Sequence, residues 1–151
     1  MIRLSTRGRY GTRALLDLAL HQTETEGEPI PLKEIAQRQE ISLQYLEHLI
    51  TPLIAAGIVK SSRGVRGGVQ LAKPPREIEL IEVIETLEGS IVPADCIDSP
   101  EVCSRSKLCA TRDIWVELKE AIDKVLKSTT LQDLVECQKK KEQSREPTYY
   151  I

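Results

Sequence analysis

Residues 42–73 have the sequence SLQYLEHLITPLIAAGIVKSSRGVRGGVQLAK, which contains the most informative pattern in this chain. The part from Ser42 to Gly57 predicts a helix, because serine can cap the first turn and apolar residues recur every three or four positions. The part after it predicts two short strands, Ile58–Lys60 and Val69–Leu71, joined by a glycine-rich loop with two arginines. We therefore expect a helix followed directly by a β-hairpin with a basic tip.

Two further helices are predicted on the N-terminal side of this stretch. The first should begin after Ser5 or Thr6 and end near His21, and a second, short helix should begin at Pro31. Three helices followed by a two-stranded hairpin is the element order of a winged helix-turn-helix. The sequence therefore predicts a mainly α fold, with a small β-wing, that binds double-stranded DNA.

Polar side chains on the third helix and arginines outside it are the candidate DNA contacts. A helix in the major groove places polar side chains against base edges, and arginine on a slim hairpin tip favours the minor groove. Arginines near the N-terminus would contact phosphate, which positions a protein without specifying sequence. Leu43, Leu46, Leu49 and Ile50 are expected to face the core instead. The candidates are Ser42, Gln44, Tyr45, Glu47 and His48 on the helix, Arg63 and Arg66 on the hairpin, and Arg3, Arg7 and Arg9 at the N-terminus.

The distribution of charge along the chain agrees with this orientation. Residues 1–73 contain ten Lys or Arg and seven Asp or Glu, whereas residues 74–151 contain eleven and sixteen, so the balances are +3 and −5. The basic half can approach phosphate, and the acidic half is repelled by it. The chain contains no long apolar run and no apolar N-terminal segment, so we expect a cytoplasmic protein without a membrane partner. It also lacks a nucleophile elbow, a phosphate-binding loop and an HExxH motif, and no enzyme is expected.

The C-terminal half is predicted to follow a boundary at Pro74–Pro75. A long helix there carries an apolar stripe from Ile114 to Val125 at spacings of four, four and three residues, which is typical of a packed or dimerising helix. The predicted divisions are a DNA-binding domain at 1–73, a linking helix at 74–90, a cysteine loop at 91–110, the long helix and a short terminal helix at 111–137, and a mobile tail at 138–151.

Four side chains in this half are expected to have no chemical role. Glu82, Glu85 and Glu88 lie at helical spacing and predict a solvated face rather than a catalytic pair. Cys137, on the terminal helix, is expected to be a small buried apolar residue.

The other three cysteines, Cys96, Cys103 and Cys109, lie within fourteen residues, with six and five residues between them. The residues between them are mostly polar, so we expect the thiols on an exposed loop. In a reducing compartment, such a group favours metal binding or redox sensing over structural disulfides. Zinc sites usually pair thiols two to four residues apart, whereas these wider gaps suit an iron–sulfur cluster. A three-thiol zinc site and a redox thiol set without metal are the alternatives.

Several separated motifs resemble the winged-helix regulators typified by IscR, NsrR and CymR. The resemblance extends to about residue 137 and implies a homodimer. In such a dimer the long helix, here at about 110–127, crosses its mate and two winged helices bind a pseudo-palindromic operator. The similar stretches are LSTRGRY at 4–10, ISLQYLE at 41–47, RGVRGG at 63–68, the three cysteines, DIW at 113–115 and TLQDLV at 130–135.

The resemblance also implies a 2Fe–2S cluster on the three cysteines, whose presence reports iron–sulfur status and alters which promoters are bound. At the position of the family's histidine ligand this chain has Arg112, and at the position of the acidic ligand of NsrR-like proteins it has Arg9. Neither residue can be the fourth ligand, because arginine cannot ligate iron. His48 replaces the family's glutamine after its base-reading glutamate, so a different operator preference is expected. Candidates for the fourth ligand are Asp95, Glu101, Asp113, another cysteine, an exogenous thiol and water.

Two other functions stay open at this point. One is a cluster-free regulator controlled by a partner protein or a thiol metabolite, and the other is an iron–sulfur carrier in which the wing is incidental. The cluster hypothesis places the loop between the dimer helix and the DNA-binding domain. Ordering the loop would then bias the relative position of the two wings, provided that the two states differ in DNA affinity.

Overall fold

The computed structural model describes residues 2–145, which form six α-helices and one two-stranded antiparallel sheet. The predicted mainly α fold with a small wing is confirmed. No helix within these residues combines the length and hydropathy needed to cross a membrane. The helices are α1 Thr6–Gln22, α2 Leu32–Gln39, α3 Leu43–Ala55, α4 Leu80–Glu88, α5 Ala110–Ser128 and α6 Leu131–Gln143, the strands are β1 Val59–Ser62 and β2 Gly68–Leu71, and short 3-10 turns occur at Pro75–Glu77, Pro100–Val102 and Ser106–Leu108.

The first three helices and the wing share one aliphatic core. Leu15 and Leu18 of α1 meet Leu46 and Leu53 of α3, and Ile58 carries the core into the wing, all five being fully buried. Burying a side chain of this size contributes about 1.5–3 kcal/mol relative to leaving it exposed. This core holds α3 with its opposite face outward.

The helix starts follow the predicted serine caps. The Ser5 hydroxyl accepts a hydrogen bond from the N–H of Arg7 at 3.1 Å, and the Ser42 hydroxyl accepts one from the N–H of Tyr45 at 3.1 Å. Each cap provides a partner for an N–H group that the first turn leaves without one. The starts of α1 and α3, which carry most of the candidate DNA contacts, are therefore fixed locally.

The wing is joined to the domain by backbone pairing. β1 pairs with β2 from Val59–Leu71 to Ser62–Gly68, so β1 begins one residue later and ends two residues later than predicted. Ile30 and Val69 exchange two N–H···O hydrogen bonds of 2.8 Å, which adds a third backbone segment to the sheet. A Cβ on Gly68 would overlap the backbone of Ile30, so glycine is required for this close approach.

A buried carboxylate fixes α2 against α1. Asp17 is only 4% exposed, and it accepts hydrogen bonds from the Arg38 guanidinium at 2.7–3.1 Å and from the Gln39 amide at 2.8 Å. The hydrogen bond with Asp17 raises the pKa of Arg38 above its ordinary value. A buried charge requires such pairing, and here the pairing sets how the two helices meet.

The terminal helix closes back onto the DNA-binding part of the chain. Leu131 and Val135 belong to the same core as α1, and the N–H of Leu131 donates to the carbonyl of Ile78 at 2.8 Å. The tail predicted from residue 138 is wrong as far as Gln143, because glutamine and lysine are good helix formers and continue α6. The remaining tail residues, 146–151, lie outside the described residues. Cys137 is exposed, which corrects its predicted burial.

Helix α5 has no buried residue. It packs along α4, but Ile114 is 57% exposed, Trp115 40% and Val125 63%. The apolar stripe predicted from the sequence is therefore exposed at its two ends, whereas its middle residues, Leu118 and Ile122, are half-buried. A helix that exposes such a stripe is typical of an association surface.

Candidate nucleic-acid interface and cysteine loop

The outward face of α3 presents three of its predicted polar contacts. Gln44, Glu47 and His48 are exposed, and the Ser42 hydroxyl caps the helix beside them. Leu43 is 42% exposed, so its predicted place in the core is wrong. It is the first residue of α3, and side chains on a helix point back toward its N-terminus, which carries Leu43 beyond the edge of the core.

Tyr45 packs against α1 and is a correction to the predicted outward face. Its ring meets that of Tyr10 edge to face, with centroids 6.2 Å apart, and the Arg13 guanidinium lies 5.2 Å from the centroid of the Tyr10 ring. The Tyr45 hydroxyl is buried and has no hydrogen-bond partner within residues 2–145. Tyr45 therefore attaches α3 to α1 through its ring, and its hydroxyl does not lie on the outward face of α3.

The predicted arginine contacts are exposed at two places. Arg7 borders a cavity of about 320 Å³ whose other walls are Tyr45, His48 and Leu49, so the start of α1 lies next to the outward face of α3. The remaining arginines project from the N-terminus and from the wing. Within the described part of the chain, none of the five forms an ion pair, and all are available for phosphate: Arg3, Arg7, Arg9, Arg63 and Arg66.

Glu88 corrects the expectation of a solvated acidic face on α4. Its Oε1 accepts hydrogen bonds from the Ser5 N–H at 2.8 Å, the Ser5 hydroxyl at 2.7 Å and the Gly8 N–H at 3.0 Å. A Cβ on Gly8 would overlap this carboxylate, and one on Gly11 would overlap Leu87. Glycine is unfavourable inside a helix, so the two glycines of α1 were the sequence signal for this close approach.

The cysteine loop is exposed, as predicted, and its thiols are free. Cys96 and Cys109 are half-buried and Cys103 is exposed. The Ser106 hydroxyl donates to the carbonyls of Pro100 at 2.7 Å and Cys103 at 2.9 Å, which holds the two short turns of the loop together. Within residues 2–145, no three His, Cys, Asp or Glu side chains are gathered as a metal site, so this conformation does not bring the three thiols together.

Arg112 joins the two ends of the loop. Its Nε donates to the carbonyl of Cys96 at 3.0 Å, and Arg112 itself lies in the first turn of α5, three residues after Cys109 at the helix N-cap. The Sγ atom of Cys109 lies 3.1 Å from the Thr111 hydroxyl. The hydrogen bond with Thr111, together with the backbone N–H of Arg112, lowers the pKa of Cys109 and favours its thiolate.

Comparison with known proteins agrees with this architecture. Residues 4–137 match the family model described as "Rrf2: Iron-dependent Transcriptional regulator". The protein Rrf2 of Nitratidesulfovibrio vulgaris is 43% identical over 134 residues, which cover 89% of this chain and 87% of that protein.

Two solved structures have the same fold over nearly their full length. CymR, the global cysteine regulator of B. subtilis, has a TM-score of 0.74 at 39% identity and covers 90% of this chain and 98% of its own. IscR of T. potens has a TM-score of 0.76 at 38% identity, and the match covers 98% of this chain and 96% of the IscR chain. These relatives are transcriptional regulators rather than enzymes, as the sequence predicted. The chain belongs to the Rrf2 family of winged-helix, DNA-binding transcriptional regulators.

Proposed function

We propose that this regulator acts as a homodimer and that its cysteine loop holds a 2Fe–2S cluster through which iron–sulfur or redox status alters DNA affinity. The observation that carries the proposal is the contact of Glu88 with the start of α1. The loop leaves α4 at Gly89, the next residue, so a change in the loop would act on the position of this carboxylate. The arginines at the start of α1 would then move relative to the DNA.

The proposed reading surface consists of α3, the wing and the start of α1. Gln44 would pair with adenine, and Glu47 would accept from the amino group of cytosine in the major groove. His48 lies beside Glu47, toward Arg7, and would contact an adjacent base. Ser42 would orient the helix N-terminus through its cap. At the tip of the wing, Arg63 and Arg66 would enter the minor groove. Near the N-terminus, Arg3, Arg7 and Arg9 would contact phosphate.

Glu47→Ala should relax base preference at one operator position. A good base contact contributes about 1–3 kcal/mol of discrimination, whereas non-specific affinity should hold or rise slightly, because one negative charge is removed. The measurement is competition binding against operators changed at single positions. Glu24→Ala, which removes the same charge from the exposed turn after α1, is the matched control. An equal change for all sequences would show that Glu47 does not contact a base.

We propose that the exposed stripe of α5 forms the dimer interface. Isologous pairing buries the same stripe on both copies, which suits a helix that has no buried residue in its own chain. Two copies related by a two-fold axis would also place two α3 helices on the half-sites of a pseudo-palindromic operator.

Val125→Asp should convert the dimer to a folded monomer. The side chain is 63% exposed in the single chain, so the fold should tolerate the change, but a carboxylate buried without a partner in the interface is costly. Sedimentation velocity would give the mass, and circular dichroism would confirm the helix content. Lys124→Asp, at the preceding residue and therefore turned about 100° around the helix from Val125, should remain dimeric. A dimeric Val125→Asp variant would contradict the interface.

Cys96, Cys103 and Cys109 are the proposed cluster ligands. Thiolate is a soft ligand suited to the irons of such a cluster, and the lowered pKa of Cys109 favours the ligating form. The donor chemistry therefore fits, although the three thiols would have to come together to hold the cluster. When bound, the cluster would supply a redox- and oxygen-sensitive group at this loop.

The fourth ligand is not a side chain at the family's histidine position. Arg112 there ties Cys96 to α5 and holds the loop closed at its base. The proposed candidates remain Asp95, Glu101, Asp113, a further cysteine, an exogenous thiol or water. A fourth position filled from outside the chain would make the cluster easier to lose, which suits a sensor.

A cluster-free regulator is the second candidate. Two observations favour it: the similarity to CymR, and the absence of a gathered metal-binding group within residues 2–145. In that case a partner protein or a thiol metabolite would act on the same loop. Iron and sulfide analysis after anaerobic purification distinguishes the cluster-containing regulator from the cluster-free one. An iron–sulfur carrier, the remaining alternative, would not bind duplex DNA with sequence preference and a strong salt dependence.

A further inference from the structure

Leu43 is a large apolar side chain on an otherwise polar face. It is 42% exposed at the first position of α3, whereas Leu46 and Leu49, which face the core, are fully buried. Glu47 lies four residues after Leu43 and three after Gln44, so its side chain is a neighbour of both on the helix surface. An exposed leucine at this place contributes little to the core.

The outward face of α3 that Leu43 borders is polar rather than apolar, because Gln44, Glu47 and His48 are exposed on it. Arg7 adjoins the same outward face through the cavity that it shares with Tyr45 and His48. Arg3 and Arg9 are exposed at the start of the same neighbouring helix. A surface of this charge complements phosphate, which favours nucleic acid over a second apolar protein surface as the occupant.

We propose that Leu43 contacts the C5-methyl group of a thymine in the major groove. This inference rests on the proposed use of α3 as the recognition helix. Residues near the N-terminus of a recognition helix contact base edges, and the thymine methyl is the apolar group that those edges present. Leu43 would then add a thymine preference next to the bases contacted by Gln44 and Glu47.

The experiment replaces thymine with deoxyuracil, which removes only the methyl group. A preferred operator is first selected from random-sequence duplex DNA with the full-length protein, and each thymine in it is then replaced in turn. At one thymine per half-site, the wild-type protein should lose about three- to fivefold in affinity, the value expected for one buried methyl group. Other thymines should show little effect.

Leu43→Ser should abolish the difference between thymine and uracil at that position, and Leu43→Met should retain most of it. Ile54→Ser is the matched control, because Ile54 is 36% exposed at the opposite end of α3, away from the bases. Thermal unfolding of each variant would confirm that it folds. If no thymine is sensitive in the wild type, or if Leu43→Ser still discriminates, Leu43 does not contact the methyl. If no preferred operator can be selected, the proposed use of α3 fails as well.

Discussion

Cys103→Ala should remove the visible absorption and the bound iron of anaerobically purified protein. The loop carries only three thiols, and the proposed cluster uses all of them. Because the variant would hold the cluster through only two thiolates, it should no longer retain the iron. Cys103 is the most informative of the three, because it is exposed and its replacement should not affect folding. The measurements are the absorption spectrum, iron and acid-labile sulfide, compared with Cys96→Ala and Cys109→Ala.

Cys137→Ala is the matched control for this experiment. Its thiol is also exposed, but it lies on α6 and outside the loop, so iron and absorption should equal those of the wild type if the fourth ligand is a carboxylate, an exogenous thiol or water. A partial loss of iron in this variant alone would identify Cys137 as the fourth ligand. A colourless wild-type protein with stoichiometric zinc would overturn the iron–sulfur proposal. A wild-type protein that contains neither metal and binds its operator equally well after cluster reconstitution would favour the cluster-free regulator.

Glu88→Ala should lower operator affinity by about tenfold, which corresponds to about 1.4 kcal/mol. The substitution leaves Ser5 and the buried N–H of Gly8 without their acceptor, and losing such a cap costs about 0.5–2 kcal/mol of helix stability. The arginines at the start of α1 would no longer be held in one position. The ratio of affinities between the cluster-loaded and cluster-free protein should also move toward one, because the proposed connection is broken.

Glu85→Ala is the matched control, since Glu85 is an exposed carboxylate one turn earlier on α4. It should leave both the affinity and the ratio near their wild-type values. Fluorescence anisotropy with labelled operator, at a fixed salt concentration, measures both quantities. If the two variants bind alike, the Glu88 contact does not position the arginines. If only the affinity falls and the ratio is kept, the loop acts on DNA binding by another route.

The helices and the wing could be predicted because their signals are local. The serine caps at Ser5 and Ser42, the apolar spacing and the glycine-rich tip each act within a few residues along the chain. The terminal helix was predicted too short, since polarity alone does not distinguish a solvated helix from a tail. The side-chain hydrogen bond between Gln138 and Glu142, four residues apart at 2.9 Å, is typical of the former.

The candidate site was harder to predict, since several of its roles depend on the neighbouring helix. Leu43 follows the apolar spacing of α3 but lies past the edge of the core, and Tyr45 packs on Tyr10 although its neighbours are exposed. Glu88 had the spacing of a surface residue, and only the approach of α1 gives its carboxylate three donors.

The order of residues alone was sufficient for the winged-helix topology, the basic N-terminal half and the cysteine loop, because caps, periodicity, charge and spacing are properties of neighbours in the chain. The packing of α4 on α1 was needed to connect that loop to the arginines, and the isolation of α5 from the core was needed to leave its stripe exposed. Both depend on contacts between residues far apart in sequence, whose geometry is set when the whole core closes.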